Sequence, residues 1–180
     1  MIDTFVVADD GLVSGPSTFQ SVGLTPFGFD VGRGDHLFVS EAAGGVANAS
    51  SASSYQVSDE GDLTLISGAV PTRQTAACWL LTSRDGRFVY TANAGSGSIS
   101  GFRVGPNGTL DLLDPSDETG LTGGGSHPTD MAQSRNGRFL YSLNNGNGTI
   151  GAFGSNQDGS LHPLMTISGL PTTCAGLAGR

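Results

Sequence analysis

An all-β fold is predicted for this chain: a β-propeller of four-stranded antiparallel blades, about three and a half of them in 180 residues. Three observations predict it. The segment Arg84-Asp85-Gly86-Arg87-Phe88-Val89-Tyr90-Thr91-Ala92-Asn93 returns 51 residues later as Arg135-Asn136-Gly137-Arg138-Phe139-Leu140-Tyr141-Ser142-Leu143-Asn144, and a looser copy runs from Arg33 to Ala42. A period of roughly 40 to 50 residues, made of short apolar runs and glycine turns, marks a propeller blade. Nowhere does an apolar 3.6-residue period persist beyond a turn or two, so essentially no helix is expected.

The second copy is the clearest and defines the elements. Residues 77–82 form a short continuous apolar run, as a strand buried on both faces should. Ser83-Arg84-Asp85-Gly86 then turns the chain, Asp-Gly supplying the positive φ of a tight hairpin. Arg84, Asp85, Arg135 and Asn136 are accordingly read as turn chemistry. A second strand runs from Arg87 to Ala92 and a third from Ser98 to Val104; Gly105-Pro106-Asn107-Gly108 leads into a fourth, from Thr109 to Leu113. Ile99, Phe102, Gly108 and Leu110 recur 51 residues on as Ile150, Phe153, Gly159 and Leu161. In the first copy Tyr55, Gly61 and Leu63 stand only 47 residues before their partners, which predicts about four inserted residues between Glu41 and Tyr55.

The chain opens mid-blade, because Phe5, Asp9-Asp10-Gly11 and Val13 echo Tyr55, Asp59-Glu60-Gly61 and Leu63. The resulting division takes residues 1–23 as the end of one blade, 24–73, 74–125 and 126–170 as successive blades, and 171–180 as a closing strand. Such an open half-ring exposes sheet edges. Closure by a second copy, a homodimer, is one way to bury them, and being a fragment of a longer propeller is the simpler one.

Composition excludes two kinds of partner. The chain has no Lys, eight Arg and sixteen carboxylates, a net charge of -8. Nucleic acid and anionic membrane surfaces would repel it, since affinity for either rests on clustered cations. No stretch approaches a membrane-spanning length, and the N-terminus lacks a basic and then apolar leader; the compartment stays open, with the cytoplasm as default. Cys78 and Cys174 form no metal or disulfide framework and are expected to be buried free thiols.

The repeated Ser-Arg-Asp/Asn-Gly-Arg-Phe-Val/Leu-Tyr with a following Asn, then Gly-Thr/Ser-Ile and Asp/Asn-Gly-Ser/Thr-Leu, resembles the seven-bladed lactonase family, which includes the propeller type of 6-phosphogluconolactonase and the fungal carboxymuconate cyclase. Thr25-Pro26-Phe27-Gly28-Phe29, Ala76-Ala77-Cys78-Trp79 and the ending from Gly169 to Ala178 look like its later blades. The resemblance implies a small lactone or sugar acid as partner and lactone hydrolysis, or a cycloisomerase-like reaction, as activity. The chain departs from the family in holding about half of seven blades, which puts activity as a fragment in doubt.

Lactone hydrolysis needs an activated water, oxyanion stabilisation and, for an anionic substrate, a cation. On the top face, where connections before strand one and after strand two meet, His127 and Asp130 stand in Ser126-His127-Pro128-Thr129-Asp130 as a candidate base and its orienter. The corresponding places hold Ala76 with Trp79 and Thr25 with Phe29, so these two polar groups are not part of the repeat. The plain alternative is a solvated His and an Asp bonded to backbone N–H groups. Glu41 is a third catalytic candidate, with Arg73 and Gln74 across the rim as substrate-binding groups; an ordinary surface ion pair is the competing reading. Asn93 and Asn144 are equivalent positions, with Glu41 one residue before its match, and complete the substrate-binding set. No metal site is assigned, although three such oxygens could face a Ca²⁺. A non-enzymatic scaffold that binds a protein or glycan is the second functional reading, carried by the long loop of small residues from Gly44 to Ser54.

Overall fold

The repeat folds into stacked antiparallel blades in the computed structural model, which describes residues 1–115 and 118–179. A hairpin of β1 (Ile2–Val7) and β2 (Val13–Phe19) comes first. β3 (Pro26–Val31), β4 (His36–Glu41), β5 (Ser51–Val57) and β6 (Leu63–Pro71) pair in chain order as the first whole blade. β7 (Ala77–Thr82), β8 (Phe88–Asn93), β9 (Ser98–Val104) and β10 (Leu110–Leu112) form the second, where β11 (Gly120–Leu121) resumes the pairing with β9. β12 (Pro128–Gln133), β13 (Phe139–Asn144), β14 (Thr149–Ser155) and β15 (Leu161–Ser168) make the third. Two three-residue 3-10 turns, Arg33–Asp35 and Ala43–Gly45, are the helical segments among the described residues.

Three details differ from the expected boundaries. The fourth strand of the second blade is split, because Leu113 N–H donates to Gly101 O and the Thr119 hydroxyl accepts from Gly101 N–H, so the chain detours before β11. The stretch expected as a closing strand forms no strand over residues 171–179, and Arg180 lies outside the described residues. Within that stretch Leu177 N–H bonds a side chain of β12, the Asp130 carboxylate, instead of entering a ladder. Both cysteines are free, but half-buried rather than buried; burial pushes the Cys78 thiol above its ordinary pKa.

Cores lie between blades, not within them. Alternation along β8 explains this: Phe88, Tyr90 and Ala92 face the third blade and pack with Ile99, Met131, Leu140 and Phe153, while Val89 faces the first and packs with Phe38, Ala52, Phe102 and Leu110. A third cluster, Leu37, Val39 and Tyr55, is covered by Ile2 of the N-terminal hairpin. Nearer the axis that same face is open, and Phe27, Phe29 and Val31 line a cleft of about 440 Å³ with the hairpin.

The repeat glycines Gly108 and Gly159 meet two demands at once. Each has positive φ (78° and 93°), and a Cβ there would stand 2.8 Å from the His36 ring or 2.5 Å from the Phe88 ring of the preceding blade. Next to the second, Tyr90 Oη donates to Gly159 O at 2.9 Å, tying the second blade to the third. Burial is the main reason the Tyr90 phenol is held above its ordinary pKa, so it remains a donor.

The Asp-Gly turn behaves as the sequence predicts. Asp85 Oδ1 accepts from Ser83 Oγ at 2.7 Å and Arg87 N–H at 3.1 Å, and Oδ2 accepts Arg87 Nε at 2.7 Å. Burial pulls this carboxyl upward, yet the Ser83 hydroxyl and Arg87 together hold it below the usual carboxylate range. A depressed folded value stabilises the protein above the unfolded carboxylate pKa of about 4, and that contribution is lost as pH falls through the folded value. An Asp85→Asn variant is therefore expected to lose stability less steeply on acidification, measured as urea midpoints between about pH 5 and 2. Superimposable acid branches for variant and parent would contradict the assignment.

Candidate functional site

The top face is built from a repeated junction. The residue before each first strand, Thr25, Ala76 or His127, has positive φ. The carbonyl just before each of these residues meets the chain leaving strand two: Ala43 N–H bonds Leu24 O, Gly95 N–H bonds Thr75 O, and Gly146 N–H bonds Ser126 O. His127 thus occupies a repeat position in backbone terms while its imidazole is particular to the third blade. The ring is exposed and its Nδ1 lies 3.0 Å from Ala94 O. A carbonyl only accepts, so Nδ1 carries the proton in the neutral ring and Nε2 keeps the lone pair.

Asp130 does not orient His127. Each first strand bulges at its second or third residue, as the register shifts between Pro26 and Phe29, Ala77 and Trp79, and Pro128 and Asp130 show. The bulge makes Asp130 the counterpart of Trp79, which packs into the seam between its own blade and the next. Asp130 therefore serves the far side of the third blade, where Oδ2 accepts Leu177 N–H at 2.6 Å and Oδ1 accepts Met131 N–H at 2.8 Å. The counterpart in the first blade is Gly28 rather than Phe29. A Cβ on Gly28 would collide with the backbone carbonyl of Cys78, so glycine there lets β3 and β7 approach.

Glu41 is not on the rim. It is the last residue of β4 and fully buried. Register makes it the strict equivalent of Asn93 and Asn144: the three pair with Ser51, Ser98 and Thr149 at the start of the third strands. The offset to the second copy is thus 52, not 51, and the loop of residues 42–50 is five longer than residues 94–97. Its carboxylate accepts from Ser21 Oγ at 2.9 Å, Gly23 N–H at 2.9 Å, Ser53 Oγ at 2.7 Å and the Ser51 hydroxyl. A buried charge held by four donors is a structural knot and has no capacity left for a proton relay.

The asparagines occupy the same knot. Asn93 Nδ2 donates to Ser98 Oγ at 3.1 Å and Ser100 Oγ at 2.9 Å; Asn144 Nδ2 donates to Thr149 Oγ1 at 3.2 Å and its Oδ1 accepts from Ser142 Oγ. Both are buried and turned into their own blades by these bonds. Gln74 Oε1 joins the second knot by accepting from Ser98 Oγ at 3.1 Å. Arg73, exposed with φ of 59°, donates to Pro115 O and makes no pair with Glu41. Among the described residues, five cavities of about 160 to 440 Å³ are lined by residues other than His127, Asp130, Glu41, Arg73, Gln74, Asn93 and Asn144.

Residues 8–133 match the family described as lactonase, 7-bladed beta-propeller. The chain belongs to this lactonase family. Among curated protein sequences nothing matches it. Solved structures share the lactonase-family architecture. A functionally unknown protein from Desulfotomaculum acetoxidans is 16% identical with a TM-score of 0.70, over 87% of this chain and 45% of that one. The periplasmic gluconolactonase of Pseudomonas aeruginosa is 23% identical with a TM-score of 0.67, over 84% of this chain and 44% of that one. A candidate 6-phosphogluconolactonase from Bacteroides fragilis is 18% identical with a TM-score of 0.56, over 92% of this chain and 63% of that one. The chain spans less than half the length of the first two. At these identities the likeness speaks for the lactonase fold alone.

Proposed function

We propose that the lactonase-family propeller represented by this chain hydrolyses a small sugar lactone, with His127 as the general base. The observation that carries this reading is the His127 ring itself: exposed on the top face, anchored through Nδ1 to Ala94 O, and left with a free Nε2. Nε2 would take a proton from water as that water attacks the ring carbonyl, and would return it to the ring oxygen as the C–O bond of the tetrahedral intermediate breaks, opening the ring to the hydroxy acid. The orienting partner is a backbone carbonyl, in place of Asp130. Arg73 is the cation nearest in sequence to this face, and its attachment to Pro115 O must open before it could hold an anionic substrate. The presence of a gluconolactonase among the structural relatives supports the choice of substrate class.

A second reading, a scaffold that binds a protein or glycan, is favoured by the exposed loop after Glu41, where Val46 is 61% exposed. That loop is residues 42–50; Ser51 to Ser54, expected to belong to it, are in β5. Turnover of a panel of aldonolactones, with and without Ca²⁺, separates the two. Under the hydrolytic reading His127→Ala lowers kcat/KM by about 100-fold or more, while Asp130→Ala leaves kcat/KM within about two-fold. An unchanged rate in His127→Ala removes the base assignment, and no turnover of any lactone favours the scaffold.

A further inference from the structure

We propose that the turn face of the second and third blades, opposite the top face, carries a binding site for a phosphate group. This does not depend on the hydrolytic reading. In a chain of net charge -8, five of the eight arginines, Arg84, Arg87, Arg103, Arg135 and Arg138, lie at this end of two blades. Between the turns is a cavity of about 210 Å³ whose lining includes Arg84, Arg87, Arg138, Gln133, Asn136 and Gln157.

The carboxylates nearby are already engaged. Asp85 is spent on Arg87 and its own turn. Asp158 accepts from Ser160 N–H and Oγ, and Asp30 accepts Thr82 N–H at 2.7 Å and Val31 N–H at 2.9 Å. Arg103 donates to Asp158 O and stacks on Phe88. That leaves the guanidinium groups of Arg84 and Arg138 without a carboxylate partner among the described residues.

One substitution between copies creates this. Asn136 keeps both turn bonds that Asp85 makes, accepting at Oδ1 from Ser134 Oγ at 2.8 Å and Arg138 N–H at 3.1 Å. Its other terminal atom is an NH₂, which cannot accept as Asp85 Oδ2 does, so the equivalent of the Arg87 ion pair is lost and a donor is gained. Beneath it Gln133, 5% exposed, is fixed at both ends: Oε1 accepts Arg84 N–H at 2.7 Å and Nε2 donates to Gly137 O at 3.0 Å. The two turns are thereby held at a set separation. Two guanidinium forks without a carboxylate partner among the described residues, that of Arg138 stacked over the Phe139 ring with its N–H edge unpaired by any acid, and amide donors around a small cavity suit a tetrahedral oxyanion, which accepts paired N–H bonds. The cavity is too small for more than a single group and its immediate attachment.

The test is a ¹⁵N NMR titration at low ionic strength with inorganic phosphate and, separately, with glucose 6-phosphate, following Gly137 N–H and the Asn136 side-chain amide. Saturable shifts at both signals are expected. Tighter binding of the ester would identify a phosphorylated small molecule as ligand, and equal binding would identify free phosphate. Asn136→Asp, which preserves the turn and recreates the Asp85 arrangement, is expected to weaken affinity about ten-fold or more, as is Arg138→Gln. Arg135→Gln, outside the cavity lining, is expected to stay within about two-fold. No saturable shift with either probe, unchanged affinity in Asn136→Asp, or an Arg135→Gln loss equal to that of Arg138→Gln would overturn the proposal.

Discussion

Glu41→Ala is expected to destabilise the chain by about 3–5 kcal/mol, the range for removing one side of a buried charged network. The carboxylate joins three separate pieces of chain: residues 21–23 after the hairpin, the end of β4 and the start of β5. Truncation leaves buried hydroxyls and the Gly23 N–H without an acceptor, each costing about 1–3 kcal/mol before relaxation. Glu41→Asn should cost less, about 1–3 kcal/mol. It installs the residue of the other two blades and can bond Ser51 and Ser53 as Asn93 bonds Ser98 and Ser100, but is too short to reach Ser21 and Gly23. Urea unfolding monitored by Trp79 fluorescence ranks the variants, and hydrogen exchange at Gly23 reports release of residues 21–23. A Glu41→Ala protein within about 1 kcal/mol of the parent would refute the knot.

Tyr90→Ala is expected to cost about 3–5 kcal/mol, as for other large-to-small changes at fully buried aromatics. Its ring fills the seam between the second and third blades, and its hydroxyl is the partner of Gly159 O. Tyr90→Phe separates these contributions. It keeps the ring and orphans the carbonyl, for an expected cost of about 1–2 kcal/mol. Urea midpoints with unchanged slopes give both numbers. A Phe variant as damaged as the Ala variant would mean that the ring contributes little, and a Phe variant equal to the parent would mean that Gly159 O finds another donor.

The architecture was legible because a repeat repeats its physics. Asp85-Gly86 and Asn136-Gly137 demand the same turn, and the glycine-x-leucine of Gly108 and Gly159 marks the same meeting with the preceding blade; strand limits therefore fall within a residue or two of the pattern. The site was legible only as a face. In the sequence Glu41 falls one residue short of the place that matches Asn93, because the insertion that follows it is a run of Gly, Ala and Ser with nothing to anchor an alignment. Its burial was hidden too, since three of its donors are serines that read as ordinary surface composition. Asp130 reads as a rim residue because a bulge leaves no mark in sequence, yet decides which way the next side chain faces. The sequence reading opens the second strand at Arg87, and so at its equivalent Arg138, whereas β13 starts at Phe139; the missing partner of Arg138 follows from a single atom, the Nδ2 of Asn136.

The seams between blades carry a consequence for how the pieces feel one another. β8 is a party wall: Phe88, Tyr90 and Ala92 furnish one room and Val89 the other, with only the thickness of a backbone between. Phe88 also lies against the guanidinium groups of Arg87 and Arg103 at the rim of the turn-face cavity. A ligand held between Arg84 and Arg138 would share that cavity with the same ring that meets Gly159. In a stack whose members touch only their neighbours, anything that passes between the first and third blades must cross this sheet.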